Sequence, residues 1–361
     1  MPLTSYITLG HSGLRVSPFC LGTMTFGEDW GWGASVADSE AVLSRFIDRG
    51  GNFIDTANIY TKGHSEKIIG DVLGHDRARR DRLVIATKFC GNMYPGDPNG
   101  GGANAKTIVQ ACEQSLRRLR TDYIDLYWMH IWDRFTPIEE TMRALDQLVQ
   151  AGKIRYSGFS DTPAWKTAQA QTIANFRGWA PLIALQIQYS LLERTVEDEL
   201  MPMAQELGLG VTPWSPLRNG ILSGKYTRAN AGNPGTGRAA MRGVPLGEHE
   251  YALIDALAEI ARTRETSIAA IALAWVQGRA GVTSTIIGAR TLEQLDDNLK
   301  ALDVVLSADD TAKLDTLSKP PPTFTATLEA IGRPVVQNGL TVNGVTAGSW
   351  PPAPQSDAER Y

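Results

Sequence analysis

The feature that most constrains the fold is an eightfold alternation of short β-branched or aromatic runs with longer segments of helical periodicity. The short runs lie at 19–22, 53–56, 83–88, 124–130, 153–160, 184–188, 210–214 and 284–287, and a helical segment follows each of them. An open doubly wound sheet usually has fewer repeats and a glycine-rich first turn. Eight units with short connections therefore predict an α/β fold, a closed (β/α)8 TIM barrel with active-site loops and a C-terminal extension.

Helix-start signals accompany several of these units. Asp38 is expected to cap the first helix, and Thr136-Pro137-Ile138-Glu139 combines a capping box with proline at the first helical position. Thr162-Pro163 predicts the start of another helix. Additional helical segments are predicted near 267–276 and 308–317.

Two stretches interrupt the alternation. Residues 225–248 are rich in Gly, Pro and Arg and have no period, and residues 320–361 hold seven of the nineteen prolines. We expect one barrel domain over 1–319, with an N-terminal hairpin. We expect the remaining segment to be a proline-rich extension that packs on the barrel or is partly flexible.

The extension contains one turn signal. Asn338-Gly339 lies between two short apolar runs, 335–337 and 340–342. Because Asn-Gly favours the tight turns of two-residue hairpins, this pattern predicts a hairpin there.

Composition limits the kinds of partner. The 361-residue chain is 43% hydrophobic and 20% charged, with a net charge of −4 and no polybasic run, which excludes a disordered chain and indicates no nucleic-acid partner. The longest apolar run is far shorter than the roughly 20 residues of a membrane span. No signal peptide is expected, because the N-terminus has no basic region before an apolar one. Three cysteines, Cys20, Cys90 and Cys112, have neither disulfide nor metal-pair spacing. We expect a reduced, cytoplasmic protein without a metal or a membrane partner.

Polar residues end several predicted strands. Asp55, Lys88 and His130 end the second, third and fourth runs, Ser160 ends the fifth, and Tyr60 follows five residues after Asp55. In a barrel, functional groups collect at the C-terminal ends of the strands. Strand parity puts each strand-end residue above a row of interior side chains, so these groups are expected to meet at one mouth.

This set of side chains suggests proton transfer. A tyrosine hydroxyl titrates near 10, too high for an effective acid at neutral pH. A neighbouring ammonium such as Lys88 lowers that pKa by about one to three pH units, with Asp55 holding the ammonium. His130 is expected to hydrogen-bond a substrate carbonyl or to relay the proton. Each residue alone also has a structural explanation, as half of an ion pair or as a hydrogen-bonded core group.

Several short segments occur together in a specific order along the chain. The signature-like segment is Asn52-Phe53-Ile54-Asp55-Thr56-Ala57, followed by Tyr60, Gly63-His64-Ser65-Glu66 and Gly70. Other familiar segments are Gly152-Lys153-Ile154-Arg155-Tyr156 to Gly158-Phe159-Ser160, Gln186 to Tyr189, Trp214-Ser215-Pro216-Leu217 to Gly220, and Ile287-Gly288-Ala289-Arg290 to Gln294 and Asn298. Together these segments resemble the aldo-keto reductase family, and the resemblance covers residues 5 to about 318. It implies hydride transfer between a nicotinamide and an aldehyde or ketone, with Asp55, Tyr60, Lys88 and His130 as catalytic residues and Tyr60 as general acid.

The same resemblance implies the cofactor contacts. Ser160 and Gln186 would bind the carboxamide, and Trp214 would stack on the nicotinamide ring. The family often has Asn where this chain has Asp161, which either contacts the carboxamide or caps the helix starting at Pro163. The remaining cofactor contacts that it implies are Gly22, Thr23, Met24, Asp55, Ser215, Pro216, Leu217, Gly220, Lys225, Ile287, Gly288, Ala289, Arg290, Gln294 and Asn298. Residues 225–248 either fold over the pyrophosphate or form a solvated loop.

The phosphate end has its own physical argument. Arg290 precedes Thr291, the expected N-cap of the eighth helix, and a cation there opposes the helix dipole unless an anion lies between them. This favours NADP(H) over NAD(H), with Arg290 at the 2′-phosphate. Gln294 is equally consistent with a capping box that begins at Thr291.

Aromatic residues on the loops at the expected mouth predict an apolar pocket for aryl or polycyclic carbonyl compounds or alcohols. The expected substrate contacts are Phe26, Trp30, Trp32, Tyr60, Tyr94, His130 and Trp132. Trp128, inside a strand, is expected to be a packing residue.

Two other functions stay open at this stage. One is a regulatory subunit that binds the cofactor and turns over slowly, and the other is a Schiff-base lyase at Lys88. The natural substrate, the favoured direction and the choice between monomer and homo-oligomer are not predicted.

Overall fold

The computed structural model describes residues 1–230 and 246–360. Its contacts divide the chain into a compact unit, Met1–Ser318, and a second unit that begins at Lys319. Among the described residues, no helix is both long and apolar enough to cross a bilayer.

The first unit is built on an eight-stranded parallel barrel preceded by a hairpin. In the hairpin, β1 (Ile7–Thr8) pairs antiparallel with β2 (Arg15–Val16). The barrel strands are β3 (Phe19–Gly22), β4 (Phe53–Asp55), β5 (Val84–Phe89), β6 (Ile124–Met129), β7 (Ile154–Ser160), β8 (Leu182–Gln188), β9 (Gly210–Trp214) and β10 (Thr285–Gly288). From β3 to β9 each strand pairs with the next along the chain, and β10 pairs with β3, which confirms the predicted (β/α)8 class.

Hydrogen bonds between the first and last strands close the barrel. Strand β10 pairs in register with β3, Thr285 opposite Phe19. On its other side, the residues before β10 meet β9 through a Val211–Val282 bridge and a 2.8 Å bond from the Thr283 amide to the Val211 carbonyl.

Helices surround the barrel on the outside. In the first unit they are α1 (Val36–Asp48), α2 (His64–Leu73), α3 (Arg77–Arg80), α4 (Ala105–Leu119), α5 (Ile138–Gln150), α6 (Ala164–Arg177), α7 (Leu200–Glu206), α8 (Glu248–Thr263), α9 (Ile268–Gln277), α10 (Leu292–Leu299) and α11 (Ala308–Ser318). Short 3-10 helices lie at Tyr60–Gly63, Thr195–Glu197, Arg218–Ser223, Arg228–Asn230 and Lys300–Asp303. The outward-facing side chains of the strands pack with these helices in one large buried cluster.

The N-terminal hairpin covers the bottom of the barrel. Leu9 and Val16 belong to the same buried cluster as the interior residues Phe53 and Leu126. The chain approaches the barrel so closely here that a Cβ on Gly10 would lie 2.3 Å from the Ile183 carbonyl oxygen. This leaves the opposite end, where the strands finish, as the open mouth.

Trp128 fills the barrel interior next to a glycine. Its side chain is fully buried, and Gly158 is its partner on the neighbouring strand. A Cβ on Gly158 would lie 2.5 Å from Trp128 Cζ3 and 2.7 Å from the Ala184 carbonyl oxygen. The glycine in β7 is therefore required by the size of the indole in β6.

We expect Gly158→Ala to lower the free energy of unfolding by about 1–3 kcal/mol, the usual cost of overpacking a core. Urea denaturation measures the change. Gly13→Ala is the matched control, because nothing lies within 4 Å of its Cβ position, and it should stay within about 0.5 kcal/mol. Equal stabilities for the two variants would contradict this account of the barrel interior.

Three predicted helix starts are wrong in detail. Helix α1 is capped by Ser35, whose side chain accepts from the Asp38 amide, so Asp38 lies one turn inside. Helix α5 has Pro137 at its N-cap without a side-chain cap, because the Thr136 hydroxyl donates to Asp133 at 2.6 Å. Pro163 similarly occupies the N-cap of α6 rather than its first turn.

The predicted hairpin at Asn338-Gly339 is wrong. Residues 335–337 end a helix, α12 (Phe324–Gln337), and Asn338, with φ +40°, is its left-handed C-cap. The hairpin lies further along, between β11 (Thr341–Val342) and β12 (Val345–Thr346), around Asn343 and Gly344. Asn-Gly has the same positive-φ preference at a helix end as in a turn, so the dipeptide alone does not separate the two structures.

Candidate active site

The mouth of the barrel brings together the four side chains proposed from the sequence. Asp55 ends β4, Lys88 lies in β5, and His130 follows β6 directly. Tyr60 begins the short 3-10 helix that follows β4. Three adjacent parallel strands and one loop therefore position the group.

Lys88 is the centre of this group. Its side chain is fully buried, and Nζ donates to Asp55 Oδ1, to the Thr56 carbonyl at 2.9 Å and to the Tyr60 hydroxyl at 3.2 Å. The Tyr60 oxygen accepts this bond, which leaves its own proton available for another acceptor. The contact therefore suits a proton donor whose conjugate base is stabilised by an ammonium.

Burial dominates the electrostatics of the site. Desolvation raises the pKa of Asp55 despite the bonds from Lys88 and Gln186, and it also raises the pKa of Tyr60 despite the neighbouring ammonium. Burial alone would lower the pKa of Lys88, but Asp55 and Tyr60 raise it overall. The expectation of a lowered Tyr60 pKa is thus wrong, although the ammonium itself acts in the predicted direction. The phenol keeps its proton at neutral pH, as a general acid must.

His130 borders the same space. Its ring lies edge-on to Tyr60, with the centroids 5.8 Å apart, and Nδ1 is buried without a hydrogen-bond partner among the described residues. Desolvation and the Lys88 charge lower the pKa of His130 to about 3. The imidazole is therefore neutral at physiological pH and suits hydrogen bonding rather than charge stabilisation.

We expect His130 to remain neutral from pH 8 down to about pH 4, since protonation would place a second cation beside Lys88. Long-range ¹H–¹⁵N NMR spectra of the histidine rings across this range measure its protonation. Spectra of His130→Gln identify the His130 signal by its absence. A midpoint between pH 5.5 and 7.5 for that signal would overturn the assignment.

Tryptophans form one wall beside Tyr60. The Trp30 ring lies 6.4 Å from the Tyr60 ring and 5.6 Å from the Trp32 ring. Their loop is held at the start of α2 by a contact of 2.8 Å between Asp29 Oδ2 and His64 Nδ1. These contacts hold an aromatic surface against the proposed acid.

The structure does not bring every predicted aromatic to this wall. Phe26 is fully buried in the core around the barrel, so it is a packing residue and not a substrate contact. Tyr94 is 45% exposed, and its hydroxyl accepts from Gln114 of α4 at 2.9 Å, away from the tryptophan wall. Trp132 instead pairs edge-to-face with Trp165, centroids 5.7 Å apart. Sequence reasoning missed Trp165, an exposed aromatic in the first turn of the helix after the Ser160 strand.

The expected nicotinamide contacts cluster at the ends of three successive strands. Ser160 and Gln186 are buried at the ends of β7 and β8, and Gln186 Nε2 donates to Asp55 Oδ2 at 3.0 Å. Trp214, half-buried at the end of β9, donates from its indole nitrogen to Asp161 at 3.0 Å. The Asp161 side chain faces the site, so its alternative role as a helix cap is wrong.

The loops after β3 and β9 contain further predicted cofactor contacts. Thr23 is buried and donates to the Asp55 carbonyl at 3.0 Å between the partly buried Gly22 and Met24. Pro216 is buried, whereas Ser215 and Leu217 are partly exposed. Gly220 has φ +91°, and Lys225 is exposed. Most of the predicted 225–248 cover lies outside the described residues.

The end of β10 presents an exposed cation at a helix start. Arg290 is exposed and makes no ion pair with any residue that the structure describes, and Thr291 caps α10 as predicted. The side-chain oxygen of Gln294 accepts a hydrogen bond from the Arg290 amide at 2.9 Å. Asn298 is buried and donates to the Gly288 carbonyl at 3.1 Å, so it supports the strand end that also contains Ile287 and Ala289.

A buried network behind the site was not expected. Glu66 of α2 accepts from Thr87 at 2.5 Å and from Arg118 Nε at 2.6 Å, and its side chain has no exposed surface. Thr87 is the neighbour of Lys88 in β5. The network therefore fixes the strand that supplies the Lys88 ammonium. In the sequence, the signal for this network was a glutamate together with a polar strand residue, Thr87, that alternates with Lys88.

Comparisons with known proteins agree with this geometry. The family model described as "Aldo/keto reductase family" matches residues 18–319. An uncharacterized oxidoreductase of Bacillus subtilis is 40% identical over 83% of this chain and 92% of its own length. An aryl-alcohol dehydrogenase of Pestalotiopsis microspora is 35% identical over 84% of this chain and 78% of its own. A rice protein named "Probable voltage-gated potassium channel subunit beta" is 36% identical over 83% of this chain and 92% of its own.

Proposed function

Because this chain belongs to the aldo/keto reductase family, we propose that it is an NADPH-dependent reductase of aldehydes or ketones, able to run the reverse alcohol oxidation. The observation that carries the proposal is the partly buried 3.2 Å contact from Lys88 Nζ to the Tyr60 hydroxyl, with Asp55 on the same ammonium. This arrangement supplies a protonated acid and stabilises the phenolate that it becomes.

In the proposed reaction, a reduced nicotinamide supplies the hydride that reaches the carbonyl carbon. Tyr60 gives its proton to the carbonyl oxygen, so one hydride and one proton convert the C=O group into an alcohol. Lys88 stabilises the resulting phenolate until a proton from solvent restores it. The neutral His130 ring donates a hydrogen bond to the same oxygen and orients the carbonyl.

The residues at three strand ends fit a nicotinamide. Ser160, whose hydroxyl proton goes to Asp161, keeps its oxygen to accept from the carboxamide nitrogen. Gln186, whose Nε2 is engaged by Asp55, keeps Oε1 to accept from the carboxamide nitrogen. Trp214 supplies an aromatic face whose orientation is held by Asp161.

The cation at the start of α10 supports NADP(H) rather than NAD(H). Arg290 has no ion-pair partner in the described part of the chain and lies one residue before the capped helix N-terminus. Guanidinium and helix amides together suit the 2′-phosphate that only NADP(H) has. Ser215, Leu217, Gly220 and Lys225 are the proposed pyrophosphate contacts.

The proposed substrates are aromatic carbonyl compounds. Trp30 and Trp32 line the space beside Tyr60, and Trp132 with Trp165 forms a second aromatic pair. The name of the aryl-alcohol dehydrogenase relative agrees with such a substrate.

A direct assay tests the proposal. Purified protein is incubated with a panel of aliphatic and aryl carbonyls and the corresponding alcohols, each with NADPH or NADH and with their oxidised forms. We expect loss of absorbance at 340 nm with aryl aldehydes and NADPH, matched by formation of the alcohol. Absence of turnover with every carbonyl and alcohol would overturn the proposed function.

The rice relative favours one second candidate, a cofactor-binding regulatory subunit with slow turnover. Tight NADPH binding with a kcat far below the usual range of about 1–1000 s⁻¹ would support it instead. The lyase alternative is disfavoured, because a Schiff base requires a neutral amine and Asp55 raises the pKa of Lys88 against the effect of burial. Trapping of a Lys88 adduct by borohydride would instead support the lyase function.

A further inference from the structure

Asp161 places a carboxylate at the mouth of the barrel. It follows β7 with φ +44°, a left-handed conformation that Asp tolerates better than most residues. The Asp161 amide donates to the Gln186 carbonyl at 3.1 Å. One carboxylate oxygen accepts from Trp214 Nε1 at 3.0 Å and the other from the Ser160 hydroxyl at 3.3 Å.

Desolvation raises the pKa of Asp161, whereas the bonds from Trp214 and Ser160 lower it by stabilising the carboxylate. Both carboxylate oxygens receive a donor, which is the pattern of an ionised acid. In the part of the chain that the structure describes, no Lys, Arg or His nitrogen lies within the 4 Å of an ion pair to Asp161. Its negative charge is therefore held by neutral donors, and the Lys88 charge, which is paired with Asp55, acts on it only from beyond ion-pair distance.

The other groups at the mouth do not cancel this charge. Asp55 and Lys88 form an ion pair with each other, and His130 is neutral. The field of Asp161 reaches the reacting groups: burial is the main cause that raises the pKa of Tyr60, and the Asp161 carboxylate adds to it. Among Asp55, Lys88, His130 and Asp161, the Asp161 carboxylate is thus the one charge outside an ion pair with a described residue.

The consequence depends on the redox state of a bound nicotinamide. The ring is positively charged when oxidised and uncharged when reduced, so a fixed carboxylate nearby attracts only the oxidised form. Trp214, the proposed stacking residue, donates to Asp161, so the carboxylate would lie near a ring stacked on Trp214. This step rests on the proposed function.

We propose that Asp161 is a positioning and redox-tuning residue that stabilises the oxidised nicotinamide relative to the reduced one in this site. Tighter binding of the oxidised form makes the bound reduced cofactor a stronger hydride donor. The on-enzyme equilibrium is then shifted toward alcohol and oxidised cofactor.

The test compares the dissociation constants of NADP⁺ and NADPH, measured by titration calorimetry without a carbonyl substrate. Asp161→Asn removes the charge, keeps an oxygen acceptor for Trp214 and tolerates the positive φ. We expect its Kd ratio, NADP⁺ over NADPH, to be about five- to tenfold higher than that of the wild type. Asp161→Gly, which is also uncharged and permissive of positive φ, should change the ratio in the same direction.

Trp214→Phe is the matched control, because it removes the indole donor and keeps the carboxylate. We expect it to weaken binding of both cofactor forms by a similar factor. An Asp161→Asn ratio equal to that of the wild type, with both cofactors bound, would overturn the redox role while leaving the proposed function intact. Failure of the wild type to bind either cofactor would overturn both.

Discussion

Tyr60→Phe is expected to lower kcat for carbonyl reduction by about a thousandfold, because it removes the proton that Tyr60 transfers to the substrate oxygen. The variant keeps the ring that packs against Trp30 and His130. Binding of NADPH should therefore change less than about threefold, and the effect should appear in kcat rather than in folding or cofactor affinity. Steady-state assays at 340 nm and fluorescence titration with NADPH measure the two quantities.

Tyr6→Phe is the matched control for this substitution. It also removes one tyrosine hydroxyl, but Tyr6 lies at the covered end of the barrel, where its hydroxyl donates to the Gly50 carbonyl at 3.0 Å. Its kcat should remain within about twofold of the wild type. If Tyr60→Phe retained more than a tenth of the wild-type kcat, the proton would have to come from another donor.

Arg290→Ala is expected to raise the Kd for NADPH by about 10–100-fold, the usual range for losing a charge-assisted hydrogen bond of about 1.5–3 kcal/mol. The Kd for NADH should change little, since NADH has no 2′-phosphate. Fluorescence titration of both cofactors at one fixed salt concentration measures the contrast, because screening weakens contacts at exposed charges.

Arg262→Ala controls for the loss of one surface cation. Arg262 is exposed near the end of the helix Glu248–Thr263 and has no place in the proposed phosphate site. It should bind both cofactors as the wild type does. Equal NADPH affinity in Arg290→Ala and the wild type would mean that Arg290 does not contact the phosphate.

The fold, and the clustering of the strand-end residues at one end of it, could be predicted from the periodicity of apolar residues along the sequence. Eight apolar runs with short connections required a closed sheet, and the alternating pleat put Asp55, Lys88 and His130 on the interior side at the same end. Such inferences succeed because strand parity and parallel direction are geometric consequences of the local pattern.

The depth to which each side chain is buried could not be predicted from periodicity. The sequence showed that Lys88 would neighbour Tyr60, but not that burial would outweigh its charge and raise the pKa of the phenol. It likewise did not distinguish Phe26, which turns into the core, from Trp30 on the same loop. Both outcomes depend on how distant segments pack, which local spacing does not encode.

Local ambiguity explains the remaining differences. Asn338-Gly339 suits a helix end as well as a turn, and only the neighbouring residues of the folded chain decide between them. Thr136 was available to cap a helix, but Asp133 accepts its hydroxyl instead. In each case two hydrogen-bonding solutions have similar intrinsic preference, so tertiary contacts select one.

The closure between the first and last strands also sets the order of events during synthesis. Strand β3 cannot gain its β10 partner until almost 290 residues have been made, because Gly22 pairs with Gly288. Until then the nascent sheet has two unpaired edge strands. Such edges can pair with other chains, which leads to aggregation. Contacts this distant in sequence also slow folding, since a long loop must close before they form. We therefore expect chains truncated before Thr285 to aggregate or to be degraded rather than to persist as a partial barrel.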